Sequence, residues 1–173
     1  MTLVIRSNYS DESLALIATL SKQSVDNTIY VVYVDTGWAS HDWAKRVQEG
    51  EAFAASCGFK PITLKPVADF KALVQDRKRF PSKKFQWCAG FLKGLPLLDW
   101  LDEQDPELNY EIALPKRQAL YRRPIPPIIE QCEYHGERKV LHPILNMTDE
   151  EKAALLKSVG LQSMAGRSKE CEP

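Results

Sequence analysis

The sequence predicts a single α/β domain built on a mostly parallel, five-stranded sheet with helices on both faces. Three observations lead there. Short apolar runs rich in β-branched residues alternate with stretches whose apolar residues recur at helical spacing. One run, Thr28 to Val34, is β-branched and aromatic almost throughout, the mark of a strand buried on both faces of a parallel sheet. The links are short, and no interior segment has the length of an interdomain linker, which fits one domain in 173 residues.

Each element has its own signal. Leu3 to Arg6 is the first strand. The polar turn Ser7-Asn-Tyr-Ser-Asp-Glu-Ser13 follows, and Leu14, Ile17 and Leu20 then recur as one helix face. Thr28 to Val34 is the second strand and stops at Asp35-Thr-Gly-Trp38. Ser40 is placed to cap a helix carrying Trp43, Val47 and Ala54, with Gly58 at its end. Lys60 to Leu64 is the third strand, and a helix follows around Phe70, Leu73 and Val74. Phe91 to Leu101 is helical by period, but Gly94 and Pro96 should start a new helix there or kink the old one. Glu111 to Leu114 is the fourth strand, Pro115 to Pro127 is irregular, and Arg138 to Leu141 is the fifth strand. Thr148-Asp-Glu-Glu151 forms a capping box ahead of Ala153 to Val159, with Gly160 at the stop. The tail from Gln162 is polar and carries no assigned element.

Composition excludes several classes. Lys+Arg and Asp+Glu both number 23, and a zero balance argues against a general nucleic-acid coat. The charge is uneven, however. Arg77, Lys78, Arg79, Lys83 and Lys84 form a basic run interleaved with Phe80, Phe85 and Trp87. That run suits phosphate, sulfate or stacked bases, and equally a solvated loop anchored on the core. No stretch of about 18 apolar residues suggests a membrane span. Met1 to Arg6 lacks the basic region and cleavage site of a signal peptide. The four cysteines, Cys57, Cys88, Cys132 and Cys171, are widely spaced with no Cys-x-x-Cys pair. They fit reduced thiols or a metal site in a cytoplasmic chain better than a disulfide scaffold.

In a sheet of this kind ligands bind outside the carboxyl ends of the strands, near the switch in strand order. Ser7–Ser13, Asp35–Trp38 and Ala113–Arg123 fall there. Backbone amides at a helix start, with the Ser10 and Ser13 hydroxyls, suit an anion. They also suit an ordinary turn capped by Ser10 or Asp11. Asp35 suits a ribose or a metal-bound water, and Arg122 and Arg123 suit phosphate. Cys57 reads as core, and His41, His135 and His142 lack metal-ligand spacing.

Four stretches also carry a family likeness. They are Asn8-Tyr-Ser-Asp-Glu-Ser13 leading into Leu14-Ala-Leu16; Val34-Asp-Thr-Gly-Trp38; Phe80-Pro-Ser-Lys-Lys-Phe-Gln-Trp-Cys88 continuing to Leu92-Lys93; and Arg167-Ser-Lys-Glu-Cys171-Glu-Pro173. In order and spacing they resemble the phosphoadenosine-phosphosulfate (PAPS) reductase-like proteins of phages and bacteria. That family lies within the adenine-nucleotide α-hydrolase, or pyrophosphate-loop, superfamily, and this chain looks like a divergent member. The resemblance implies a Rossmann-like HUP fold over residues 1–173. It implies that ATP or an adenosine phosphosulfate-type nucleotide is bound by Asn8, Tyr9, Ser10, Asp11, Ser13, Asp35, Thr36, Gly37, Lys83, Lys84 and Arg122.

Two chemistries follow from the likeness. In one, Cys171 is a thiolate that attacks a sulfonucleotide, with a thiol reductant protein as partner. In the other, ATP is cleaved to AMP and pyrophosphate to activate a substrate, with Mg²⁺ shared between phosphate and Glu12. Cys88 and Cys171 are candidate ligands of an iron–sulfur cluster or zinc, groups that take four ligands. The sequence departs from the family at Ser10, where glycine is usual, at Glu12, where aspartate is, and at Glu172, where glycine is. Ala113-Leu-Pro-Lys-Arg-Gln-Ala119 replaces a more acidic Gly-x-Arg-x-Glu-Glu-Ser-like stretch. These departures favour an alternative, a relative that binds a nucleotide or a protein partner without turnover. A nucleic-acid modification factor using residues 77–87 is a further reading, and a homo-oligomer is compatible with all of them.

Overall fold

The computed structural model describes residues 1–23, 27–82, 85–164 and 169–170. Six strands form one sheet: β1 (Thr2–Arg6), β2 (Thr28–Val34), β3 (Lys60–Leu64), β4 (Glu111–Ala113), β5 (Ile128–Cys132) and β6 (Arg138–Leu141). Their order is β3-β2-β1-β4-β6-β5. The first five positions are parallel, with Ile5 opposite both Val31 and Ala113, and β5 runs antiparallel to β6 at the edge. Five strands match the sequence expectation, and β5 is the addition. Its pattern explains the omission: Ile128 is exposed, only Cys132 is buried, and the register is irregular between Ile129 and Cys132. An edge strand with one half-covered face gives little periodic signal.

Residues alternate across the sheet because successive strand side chains point to opposite faces. Leu3, Ile5, Val31 and Tyr33 join one apolar cluster; Val4, Val32, Ile112 and Val140 join the other. The first cluster is covered by α1 (Asp11–Ser21), α2 (His41–Ser56) and α5 (Asp149–Ser158). The second is covered by α4 (Leu95–Gln104) through Leu97 and Leu101. A small satellite of Phe70, Trp87 and Leu92 lies beside α3 (Phe70–Arg77). Leu14 through Ala18 are all fully buried, so α1 is a central helix with an alanine-rich back, not a surface one.

The local stop and start signals act as the sequence predicts. Ser40 accepts from the Trp43 amide at 3.3 Å. Thr148 and Glu151 form the reciprocal box at 2.8 and 3.1 Å. Gly58 and Gly160 take the left-handed backbone that ends a helix, with φ +79° and +74°. Before α4 the chain forms a π-helical segment, Cys88–Gly94. Pro96 at the first turn of α4 has no N–H to give, so the preceding turn widens and a new helix begins.

Packing is tightest where α2 crosses the loop after β1. A Cβ on Gly50 would lie 2.3 Å from Cδ1 of the buried Tyr9 ring. Alanine is the better helix former, yet Gly50→Ala is expected to destabilise by about 1–3 kcal/mol, the usual cost of overpacking. Urea unfolding measures the sign, and a stabilised variant would show the ring free to move.

Candidate functional site

The site is built at the carboxyl end of β1, beside the point where strand order switches from β2 to β4. The loop leaving β1 is closed by its own side chains. The Asn8 side-chain oxygen accepts from the Ser10 amide and the Ser13 hydroxyl, both at 3.0 Å. The Asn8 amide donates to Ser13 Oγ at 3.3 Å, and the Tyr9 amide to Ser7 Oγ at 3.0 Å. Tyr9 takes the left-handed φ of +56°. Ser10 stands at the N-cap of α1, and its side chain makes no capping bond. Its hydroxyl therefore adds to the donors of the helix start that face an incoming anion.

A buried guanidinium locks this loop in place. Arg46, on the inward stripe of α2 with Trp43, Val47 and Gly50, donates to the Tyr9 carbonyl at 3.1 Å, the Gln162 carbonyl at 2.7 Å and Asp11 Oδ1 at 2.8 Å. Asp11 also accepts from the Met164 amide at 3.1 Å and from the Ser163 hydroxyl. Glu12, one residue on, points the other way. Its Oε1 accepts from Lys152 of α5 at 2.8 Å and from Arg117 at 3.1 Å. Arg117 follows β4, is buried, and also holds Asp149 at 2.7 Å and the Met147 carbonyl at 3.1 Å. Burial alone would raise the Glu12 carboxyl, but the bonds from Lys152 and Arg117 outweigh it and hold its pKa below the ordinary value. Between these two acids a cavity of about 210 Å³ opens, lined by Ser10, Glu12, Trp43, Lys152, Ser163 and Met164.

On the other face of β1 the chain places a carboxylate of its own. Glu170 is buried, and its Oε1 accepts from Lys93 Nζ at 2.5 Å and Asn8 Nδ2 at 3.3 Å. Its carbonyl accepts from the Thr36 hydroxyl, and the neighbouring Lys169 carbonyl from the Ser40 amide at 3.2 Å. Arg6, at the end of β1, feels the same carboxylate: burial lowers its pKa and the charge of Glu170 opposes that. His135 and His142 are also buried, and among the described residues each Nε2 lacks a hydrogen-bond partner. His135 is pushed down to about 4 by burial and then by Arg6, Lys116 and His142.

Several candidates from the sequence meet here. Asn8, Ser10, Glu12, Ser13 and Thr36 converge around the end of β1. Asp35 sits at the end of β2, where Oδ1 accepts from the Gly37 amide at 2.9 Å, and Gly37 has φ +72°. Three of the candidates stand apart from that group. The Tyr9 ring is fully buried against Tyr33, and its amide and carbonyl are both bonded internally. Asp11 is bonded to Arg46, Ser163 and Met164 and acts as a structural anchor. Arg122 is exposed on the loop after β4, and the arginine that reaches the site is Arg117. Lys83, Lys84 and Cys171 lie outside the described residues.

The described residues bring no set of metal ligands together. Cys57, Cys88 and Cys132 pack in three different apolar clusters. Among the described residues, no group of three or more His, Cys, Asp or Glu is arranged to hold a metal ion. A Mg²⁺ ion at Glu12 would meet two cations already on that carboxylate.

Arg46 and Lys152 each fall on a buried helix stripe, which was the available signal for them. Arg117 and Glu170 had none.

No protein-family model matches the chain, and no curated protein does. Solved structures do. A phosphoadenylyl-sulfate (PAPS) reductase from Candida auris, in a phosphate complex, matches with a TM-score of 0.66 and 13% identity over 93% of this chain and 74% of that one. The two share the same fold. U34-tRNA thiolase NcsA from Methanococcus maripaludis, with its 4Fe-4S cluster, matches with a TM-score of 0.63 and 11% identity over 96% of this chain. NMN synthetase from Francisella tularensis matches with 0.56 and 11% over 92%. This chain spans 59% and 62% of those two proteins. The resemblance drawn from the motifs thus holds at the level of the fold that these proteins share. Among the described residues, no helix is long and apolar enough to cross a membrane.

Two outcomes follow from the buried charges. Arg46→Met strands Asp11 without its partner and is expected to cost about 3–5 kcal/mol in urea unfolding. The double variant with Asp11→Leu should recover part of that loss. His135 has a folded pKa below its ordinary 6.5, so the unfolded chain takes the proton first on acidification. Stability should therefore fall between pH 6.5 and about 4. His135→Gln should flatten that limb in a pH series of thermal melts, and an unchanged slope would exclude His135 as its source.

Proposed function

We propose that this chain binds an adenine nucleotide of the ATP or adenosine phosphosulfate type across the carboxyl ends of β1 and β2. Its phosphates would lie over residues 8–13, and its ribose against Asp35–Gly37. One observation carries the reading: the chain holds its own carboxylate, Glu170, against Lys93 and Asn8 beside Arg6. A pocket that keeps an anion buried in the empty protein is electrostatically prepared for one. The incoming oxyanion takes the place of Glu170. The acids Asp11 and Glu12 do not repel it, because Arg46, Lys152 and Arg117 already match them. Solved proteins of the same fold include a PAPS reductase in complex with phosphate, a tRNA thiolase and an NMN synthetase, and this supports the ligand class.

The reaction we favour is reduction of a sulfonucleotide by Cys171. Its support is position in the chain: Cys171 directly follows Glu170, whose carbonyl and carboxylate are both tied into the crevice. The thiolate attacks the sulfate sulfur, an S–S bond forms, and the S–O bond breaks with its electron pair leaving on the nucleotide phosphate. A thiol of a reductant protein then attacks the Cys171 sulfur. This releases sulfite and leaves a mixed disulfide. A second reading, binding without turnover, is favoured by Ser10 in the loop and by the double pairing of Glu12.

Isothermal titration with ATP, adenosine phosphosulfate and PAPS tests the proposal. At least one should bind, and Glu170→Gln should tighten it by roughly tenfold, since removing one like charge is worth about 1.4 kcal/mol at such a site. No binding by any of the three would overturn the proposal. Sulfite release with a dithiol should vanish in Cys171→Ser. Binding with no sulfite release from the wild type would support the second reading.

A further inference from the structure

The stretch from Lys71 to Lys93 carries seven cations and one acid, Asp76, in a protein of zero formal charge. A solvated loop accounts for the charge alone, but not for the rings set among it. Phe80 is 66% exposed, Phe85 50% and Phe91 48%. Guanidinium planes lie over the rings. Arg77 sits 5.2 Å from the Trp87 ring centre and 4.7 Å from that of Phe91, and Arg79 sits 5.5 Å from that of Phe85.

These rings rest on a fixed floor. Phe70 and Trp87 are buried and stacked at 5.6 Å, Trp38 leans on Phe70, and Phe80 lies 6.3 Å from Phe70. The left-handed Lys78, φ +52°, ends α3 and turns the segment outward. At its far end the surface runs directly into the site. Phe91 is on the surface, Leu92 is buried, and Lys93 holds Glu170 in the crevice.

We infer that residues 77–82 and 85–91 form a docking surface for single-stranded nucleic acid. Such strands are bound by cations that follow the phosphates and by exposed rings on which unpaired bases stack. Both parts are present here and alternate along the chain. The cationic excess asks for a polyanion. Separate rings, Phe85 and Phe91 each beside a guanidinium, offer flat faces to bases and no continuous apolar face to a lipid layer or a protein core. A duplex hides its base faces and would find only the charges. The surface stands apart from the nucleotide reading and does not require it.

The test uses the full chain and fluorescence anisotropy with a labelled single-stranded oligouridylate, a duplex RNA of equal length, and vesicles containing phosphatidylserine. The single strand should bind more tightly than the duplex. Its affinity should fall with salt at a log–log slope of about −2 to −3, for three or four phosphates. Phe80→Ala and Phe85→Ala should each weaken it by roughly 5- to 100-fold, with the salt slope unchanged. Phe85→Tyr should restore binding. Arg79→Gln should flatten the slope by about 0.7. Thermal melts confirm that each exposed-site variant is folded. Absence of binding, equal affinity for duplex and single strand, indifference to loss of the rings, or a preference for vesicles would each overturn the assignment.

Discussion

The geometry of the crevice depends on one buried guanidinium. Arg46 reaches the loop after β1 through the Tyr9 carbonyl, the first turn of α1 through Asp11, and the segment after α5 through the Gln162 carbonyl. The β1–α1 junction, α2 and the segment after α5, well separated in sequence, are thereby tied together. Polar backbone in a buried loop must find partners, and here a planar fork of donors supplies them. The left-handed Tyr9 is tolerated because its ring is wedged beneath α2 at Gly50 and its carbonyl is bonded by the same arginine. Glycine would take that backbone shape without help.

Charge around β1 is arranged as matched sets on two sides. On the α1 face, Asp11 faces Arg46, while Glu12 and Asp149 face Arg117 and Lys152. On the α4 face, Lys93 and Arg6 face Glu170. The first set is covalently distant but sterically locked, with Arg46 and Arg117 almost fully buried. The second rests on a residue near the chain end. One side of the crevice is thus a buried, charge-matched wall, and the other holds a carboxylate paired with Lys93.

Much of the fold was legible because its signals are local. The capping box at Thr148, the Ser40 cap and the Thr28–Val34 run each depend on neighbours in sequence, and each appears as read. Edge strand β5 escaped because its exposed Ile128 and half-buried Ile129 break the alternation. The site was less legible. Asn8, Ser10 and Ser13 announce a loop–helix junction by composition. Arg46, by contrast, is a charge on an apolar stripe, which sequence reasoning assigns to solvent, and its partners come from 35 to 116 positions away. Glu170 and Lys93 are 77 positions apart. Pairs of that kind leave no periodicity, and only the folded sheet brings them together.

The place of Glu170 changes what binding means thermodynamically. On the proposed function, a ligand anion would not enter a hydrated hole and discharge it; it would exchange with a carboxylate already inside. The pocket's net charge therefore changes little, and most of the desolvation of Lys93 and Asn8 has been met during folding. What the exchange releases is backbone, since the Thr36 and Ser40 contacts to residues 169–170 belong to the same strap. On the proposed function, occupancy of the crevice would thus be coupled to release of residues 169–170. The favourable term on release is conformational entropy, about 1–2 kcal/mol for each residue set free. A site built this way discriminates against weakly held anions, because each must first outcompete an internal one at very high effective concentration.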